Sequence, residues 1–85
     1  MFTVGNNDGD CSIVIGLEND SIIYYDFEGN EYEEVPNLEF DDLEYQAKWD
    51  LFVSDIKSVP NIMDVLNSLE IGEGVQIENL IFYLD

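Results

Sequence analysis

The sequence predicts a small α+β domain, an antiparallel sheet covered on one face by two helices. Three observations lead there. Short β-branched and aromatic runs, separated by Asn, Asp and Gly turns, fill the first third of the chain. A helical apolar period takes over near residue 41, and a β-rich run closes the chain after Gly72 and Gly74. With 85 residues the chain fits one domain, residues 1–85, and no repeat, linker or low-complexity tract divides it.

Taken in order, Met1–Val4 has the composition of a short strand, and Gly5-Asn6-Asn7-Asp8-Gly9-Asp10 is a turn-forming cluster after it. Residues 12–17 are rich in β-branched side chains, with Ile13, Ile15 and Leu17 on one face. Glu18-Asn19-Asp20 reads as a turn. Ser21 to Phe27 is a second strand, with Ile23, Tyr25 and Phe27 alternating against Ile22, Tyr24 and Asp26. Glu28-Gly29-Asn30 suits a tight hairpin with positive φ at Gly29 or Asn30. Glu31 to Val35 returns as an edge strand loaded with carboxylates, and Pro36 stops it.

Asp41 or Asp42 can cap a helix running to about Ser58, its acidic start and Lys57 near its end both matching the macrodipole. Tyr45, Trp49, Phe52, Ile56 and Val59 form its core-facing stripe. Pro60 ends it, and Asn61 can cap a short helix to about Leu69 carrying Ile62, Val65, Leu66 and Leu69. Val75 to Leu84 reads as one long closing strand, with Leu80, Phe82 and Leu84 opposite Ile81 and Tyr83. The order is thus β-β-β-α-α-β, leaving Met1–Val4 uncounted. The last strand is expected to pair with the strand at 12–17 or at 21–27, both apolar enough to be central.

The composition is 46% apolar and 13% aromatic, enough for a core. The charge is the abnormal quantity. Twenty Asp and Glu face two cations, Lys48 and Lys57, without Arg or His, for a net charge of −18. So much like charge on one small body opposes folding by self-repulsion. A duplex carries the same charge on roughly nine base pairs, about 30 Å of axis, and a domain of this length is also about 30 Å across.

That balance excludes partners as well as suggesting them. Two lysines give no basic patch for phosphates, so direct binding to nucleic acid or to an anionic membrane is not expected. The chain carries no signal-like start and no apolar run of membrane-spanning length, and Cys11 is its single cysteine; a cytoplasmic location follows as the expectation. Without His the common nucleophilic triads are missing, one Cys cannot build a zinc site, and no phosphate-binding glycine loop occurs. The reading is a binder, not an enzyme, with no cofactor. Asn6-Asn7-Asp8-Gly9-Asp10 superficially resembles a calcium loop, but setting Gly9 at the loop glycine puts Val4 and Ile15 at ligand positions.

The carboxylates concentrate. Asp26, Glu28, Glu31, Glu33 and Glu34 surround the hairpin; Glu39, Asp41, Asp42 and Glu44 run into the long helix; Asp50 and Asp55 lie further along it. Alternate strand residues lie about 6.6 Å apart and helical residues four apart rise about 6 Å, both close to the phosphate spacing along one nucleic-acid strand. A row on the edge strand continuing onto the helix would imitate a phosphate track, and these eleven residues are the candidate partner-binding set. Opposite the Trp49 stripe lie Leu43, Ala47 and Leu51, where a helix lying on a sheet normally shows charge. The expectation is that the short helix at 61–69 packs over them; exposed, they would give an acidic interface an apolar anchor.

In size, charge and lack of Arg and His, the chain resembles the small acidic DNA-mimic inhibitors of phages and mobile elements, the anti-restriction and anti-CRISPR proteins and inhibitors of uracil-DNA glycosylase. The hairpin Gly29-Asn30-Glu31-Tyr32 ahead of an acidic helix resembles anti-CRISPR inhibitors of Cas9. No family motif aligns, so no residue role carries over. The resemblance implies occlusion of the nucleic-acid channel of a basic nuclease or CRISPR effector, and the chain is expected to act as a monomer or dimer. The alternatives are an immunity protein neutralising a basic toxin such as a nuclease, and an acidic structural or regulatory protein, including one adapted to high salt.

Overall fold

A computed structural model describes all 85 residues, Met1–Asp85. Four strands come first: β1 (Phe2–Asn6), β2 (Ser12–Glu18), β3 (Ser21–Tyr25) and the two-residue β4 (Glu31–Tyr32). Helices α1 (Leu43–Lys57) and α2 (Ile62–Ser68) follow, then β5 (Gly74–Ile77) and β6 (Leu80–Leu84). All six strands form one antiparallel sheet in the order β4-β3-β2-β1-β6-β5. The α+β architecture is the one the sequence predicts, with a longer element list.

Three strand expectations are corrected. The N-terminal segment is a full central strand, and β6 pairs with it rather than with either strand proposed. Its register sets Val4 against both Ile13 and Phe82, three side chains buried on the same face. The closing run is a hairpin, because Glu78 takes a φ of 53° and reverses the chain between Ile77 and Leu80. The edge strand after the first hairpin stops at Tyr32. Glu33 and Glu34 leave the ladder so that Val35 and Pro36 can bury, and the Trp49 indole N–H donates to the Pro36 carbonyl at 3.3 Å.

One sheet face is the core. Phe2, Val4, Ile13, Ile15, Tyr24, Leu80 and Phe82 meet Trp49, Phe52, Val53 and Ile56 of α1, with Leu66 and Leu69 from α2 and its end. Burying each large apolar side chain is worth about 1.5–3 kcal/mol, and Trp49, Phe52 and Phe82 are completely enclosed. The Trp49 stripe therefore packs as predicted at its centre, while Tyr45 and Val59 at its ends are half-buried. Phe27 departs from its expected alternation with Ile23 and Tyr25. The chain leaves β3 at Asp26, and the Phe27 ring lands against Trp49 and Phe40, with centroids 5.9 and 6.4 Å away.

The helix ends follow local chemistry. Asp42 caps α1, its carboxylate accepting from the Glu44 and Tyr45 N–H groups at 2.9 and 3.2 Å. Asn61 stands at the start of α2 but makes no side-chain cap; it is held in the left-handed region at φ 55°. The Asn19-Asp20 turn also sits in that region, at 51° and 64°, a conformation these two residue types tolerate best after glycine.

The opposite sheet face carries no helix. By register it presents Thr3, Val14, Ile23, Tyr25, Ile81 and Tyr83 at its centre. A Cβ on Gly16 would lie 3.5 Å from the Tyr25 ring and 3.3 Å from the Met1 sulfur, so this glycine lets both side chains fold over the strand.

Candidate acidic interface

Asp26 anchors the first acidic group. Its Oδ1 accepts the N–H groups of Glu28 and Asn30, both at 2.9 Å. Its Oδ2 accepts the Asn30 side-chain amide and the Tyr32 hydroxyl, also at 2.9 Å. Four donors on one carboxylate stabilise its charged form, led by the Asn30 side chain, and lower its pKa to about 2. The same bond raises the Tyr32 phenol, which would have to ionise against a carboxylate. Asp26 thus builds the hairpin on which Glu28 and Glu31 are carried. Gly29 supplies the positive φ, 86°, and Asn30 does not.

The second group lies on the connection into α1. Gln46 fixes that connection: its Oε1 accepts the Phe40 N–H at 2.7 Å, and its Nε2 donates to the Leu38 carbonyl and to Asp50 Oδ1, both at 3.0 Å. Phe40 in turn packs edge-on against Tyr45 and Trp49. This segment holds Glu39 and Asp41 in solvent ahead of Asp42 and Glu44. All eleven candidate residues are exposed except Asp26 and Asp55, which are half-buried.

They do not form one row. With β4 only two residues long, Glu31, Glu33 and Glu34 share no strand alternation, and the edge-strand half of the expected track is absent. Glu31 and Glu33 instead border an open hollow of about 760 Å³ together with Glu18 at the end of β2, Asp20 of the β2–β3 turn and Met63 of α2. Glu33 and Glu34 also border a smaller hollow beside Tyr24, Ile56 and Lys57. Asp55 is drawn to the other end of the sheet, where it shares a hollow of about 260 Å³ with Asp8, Asp10, Lys48 and Leu51. Glu18, Asp20, Asp8 and Asp10 were not among the candidates. They sit in turns and at a strand end whose neighbours are set by strand order, so no local signal marks them as members of the set.

The Leu43, Ala47 and Leu51 stripe is exposed, against expectation: Leu43 is 83% and Leu51 62% accessible. Helix α2 turns Ile62, Val65, Leu66 and Leu69 toward the common core and leaves the outward face of α1 uncovered.

Compensation within the chain is nearly nil. One ion pair forms, Lys48 Nζ to Asp10 Oδ2 at 3.4 Å, and Lys57 meets no carboxylate within salt-bridge distance. No buried side-chain polar atom lacks a hydrogen-bond partner. No three His, Cys, Asp or Glu side chains are placed to share a metal ion. The Asn6–Asp10 turn is held by Asn6, whose side-chain oxygen accepts the Asp10 and Cys11 N–H groups at 2.9 and 3.1 Å. Cys11 beside it is buried, and burial pushes its thiol pKa up. No helix is long and apolar enough to cross a membrane.

No family model matches the chain, and neither the curated proteins nor the solved structures contain a match to it.

Proposed function

We propose that the chain is an acidic binding protein that inhibits a basic nucleic-acid-binding partner by imitating DNA and blocking its nucleic-acid channel. One observation carries the reading. A net charge of −18, relieved by a single ion pair, is spread over a body whose longest extent is 36 Å. A duplex of that length, about one helical turn, carries about 21 phosphates, so body and duplex present nearly the same charge on the same span. The imitation is one of field and size, since the carboxylates stand on turns, connection and helix instead of along a single track. The partner is a protein with a cationic groove, a nuclease or CRISPR effector, and the setting is anti-defence inside a host cell. Attraction over tens of ångströms at low salt speeds encounter, and binding weakens as salt screens it.

Affinity capture tests this directly. The immobilised chain is incubated with host lysate at low salt and eluted with duplex DNA. The expected eluate contains a nucleic-acid-handling protein of basic charge. If duplex DNA releases nothing that neutral polymer does not, the proposal fails.

A further inference from the structure

We propose that the outward face of α1 is where the partner docks, and that the partner presents an apolar ridge bordered by lysine or arginine. The inference rests on the basic-partner reading above and adds to it a face and a requirement for apolar contact. At about 100° per residue, Leu43, Ala47 and Leu51 cover about 80° of the helix circumference and rise about 12 Å along it. On the same geometry Asp50 flanks this stripe about 20° beyond one border, and Glu44 and Asp55 flank it about 20–40° beyond the other. An exposed apolar strip, with Ser54 inside it, therefore has carboxylates as its nearest neighbours on both sides; Lys57 lies about 40° beyond the Asp50 border and Lys48, already paired with Asp10, about 60° beyond the other. Leu51 also lines the hollow bordered by Asp8, Asp10, Lys48 and Asp55.

Charge complementarity decides the occupant. A second copy of the chain would bring a body of net charge −18 against another, with Lys57 the one unpaired cationic side chain it could offer to Glu44, Asp50 and Asp55, and like charges across an interface cost affinity. The open face of the sheet is the weaker rival: its carboxylates, Glu31 beside Tyr25 and Glu18 at the end of β2, stand at the β3–β4 side alone, and β1 and β6 across its centre offer a cationic surface nothing to pair with. The α1 face offers both halves of a hot spot, apolar area to desolvate and charge to orient the approach.

Two synthetic helical peptides with equal numbers of lysines test the idea, one with a leucine ridge and one with serines in place of leucines. A neutral Leu/Ser peptide serves as the reference. Binding is read by fluorescence anisotropy at 150 mM NaCl, and the contact is mapped by amide chemical shifts. The leucine-ridge peptide is expected to bind about tenfold or more tighter than the serine one, a gain that burial of one leucine can supply. L43Q/L51Q removes that advantage and leaves the serine peptide unaffected; both sites are exposed, so the fold should persist, as circular dichroism will show. Shifts are expected along Leu43–Ser54. Equal affinity for the two cationic peptides, a preference that survives L43Q/L51Q, or shifts centred on Val14, Tyr25 and Tyr83 would overturn the docking face and leave the basic-partner reading standing. Binding of neither cationic peptide above the neutral one would overturn both.

Discussion

Asp26 shows how one carboxylate can be spent on architecture in a protein with twenty. Its four hydrogen bonds close the β3–β4 hairpin, and because its pKa is depressed the sign of the linkage is fixed. The hairpin keeps this contribution above the ordinary carboxylate range and loses it as pH falls through about 2. An NMR titration should therefore find the Asn30 and Tyr32 resonances changing with a midpoint near 2, well below the usual value for Asp. Asp26→Asn should abolish that transition and let the Tyr32 hydroxyl ionise at lower pH than in the parent, since the charge that holds its proton is gone. A Tyr32 titration identical in the two proteins would show that the pair does not form in solution. Gly29 and the tight turn were legible here, but nothing local announced that Asp26 would gather four donors from the hairpin. That role needs the chain to leave β3 two residues early, after Tyr25, which in turn lets Phe27 reach Trp49.

At the scale of elements, the start of α1 separates two jobs that a carboxylate performs at once. Asp42 caps the helix and also belongs to the acidic set. Asp42→Ala should cost about 1 kcal/mol in urea unfolding, while Asp42→Asn keeps the cap acceptor and should cost a few tenths at most. Equal losses in the two variants would mean that charge at the macrodipole, not the capping bond, holds that end. Helix α1 was legible because its signals are local and redundant: a capping Asp, a Trp49-centred apolar period and a stop at Pro60. The sheet was less so. Glu78-Asn79 lacks the glycine that normally marks a two-residue turn, so two short strands read as one. Met1–Val4 reads as a short strand but is too short to announce its rank, and only its register between β2 and β6 makes it central. The acidic set suffered from the same cause. Composition named its members between Asp26 and Asp55, but strand order decides which of them share a hollow, and it recruits Glu18, Asp20, Asp8 and Asp10 from turns and a strand end that look ordinary.

The whole molecule sets a burden of self-repulsion against a core of fifteen buried residues. At 10 mM salt the Debye length is about 30 Å, comparable with the 36 Å long axis, so nearly every carboxylate feels every other. At 0.5 M the screening length falls below about 5 Å and only immediate neighbours interact. Because the folded state concentrates this charge more than the unfolded chain does, added salt should stabilise the fold until screening is complete. The thermal midpoint should rise by about 5–15 °C between 10 mM and 0.5 M NaCl, corresponding to about 1–2 kcal/mol for a domain this size. Beyond that it should level off. A protein adapted to high salt behaves differently, gaining stability into the molar range, and it normally carries fewer bulky apolar side chains than the Ile, Leu, Tyr and Phe assembled here. The plateau is thus the informative part of the curve. A midpoint still climbing steeply from 0.5 to 2 M KCl would assign the charge to solvation in brine, and the absence of any rise would mean that the carboxylates are too far apart to present the duplex-like field on which the proposed function depends.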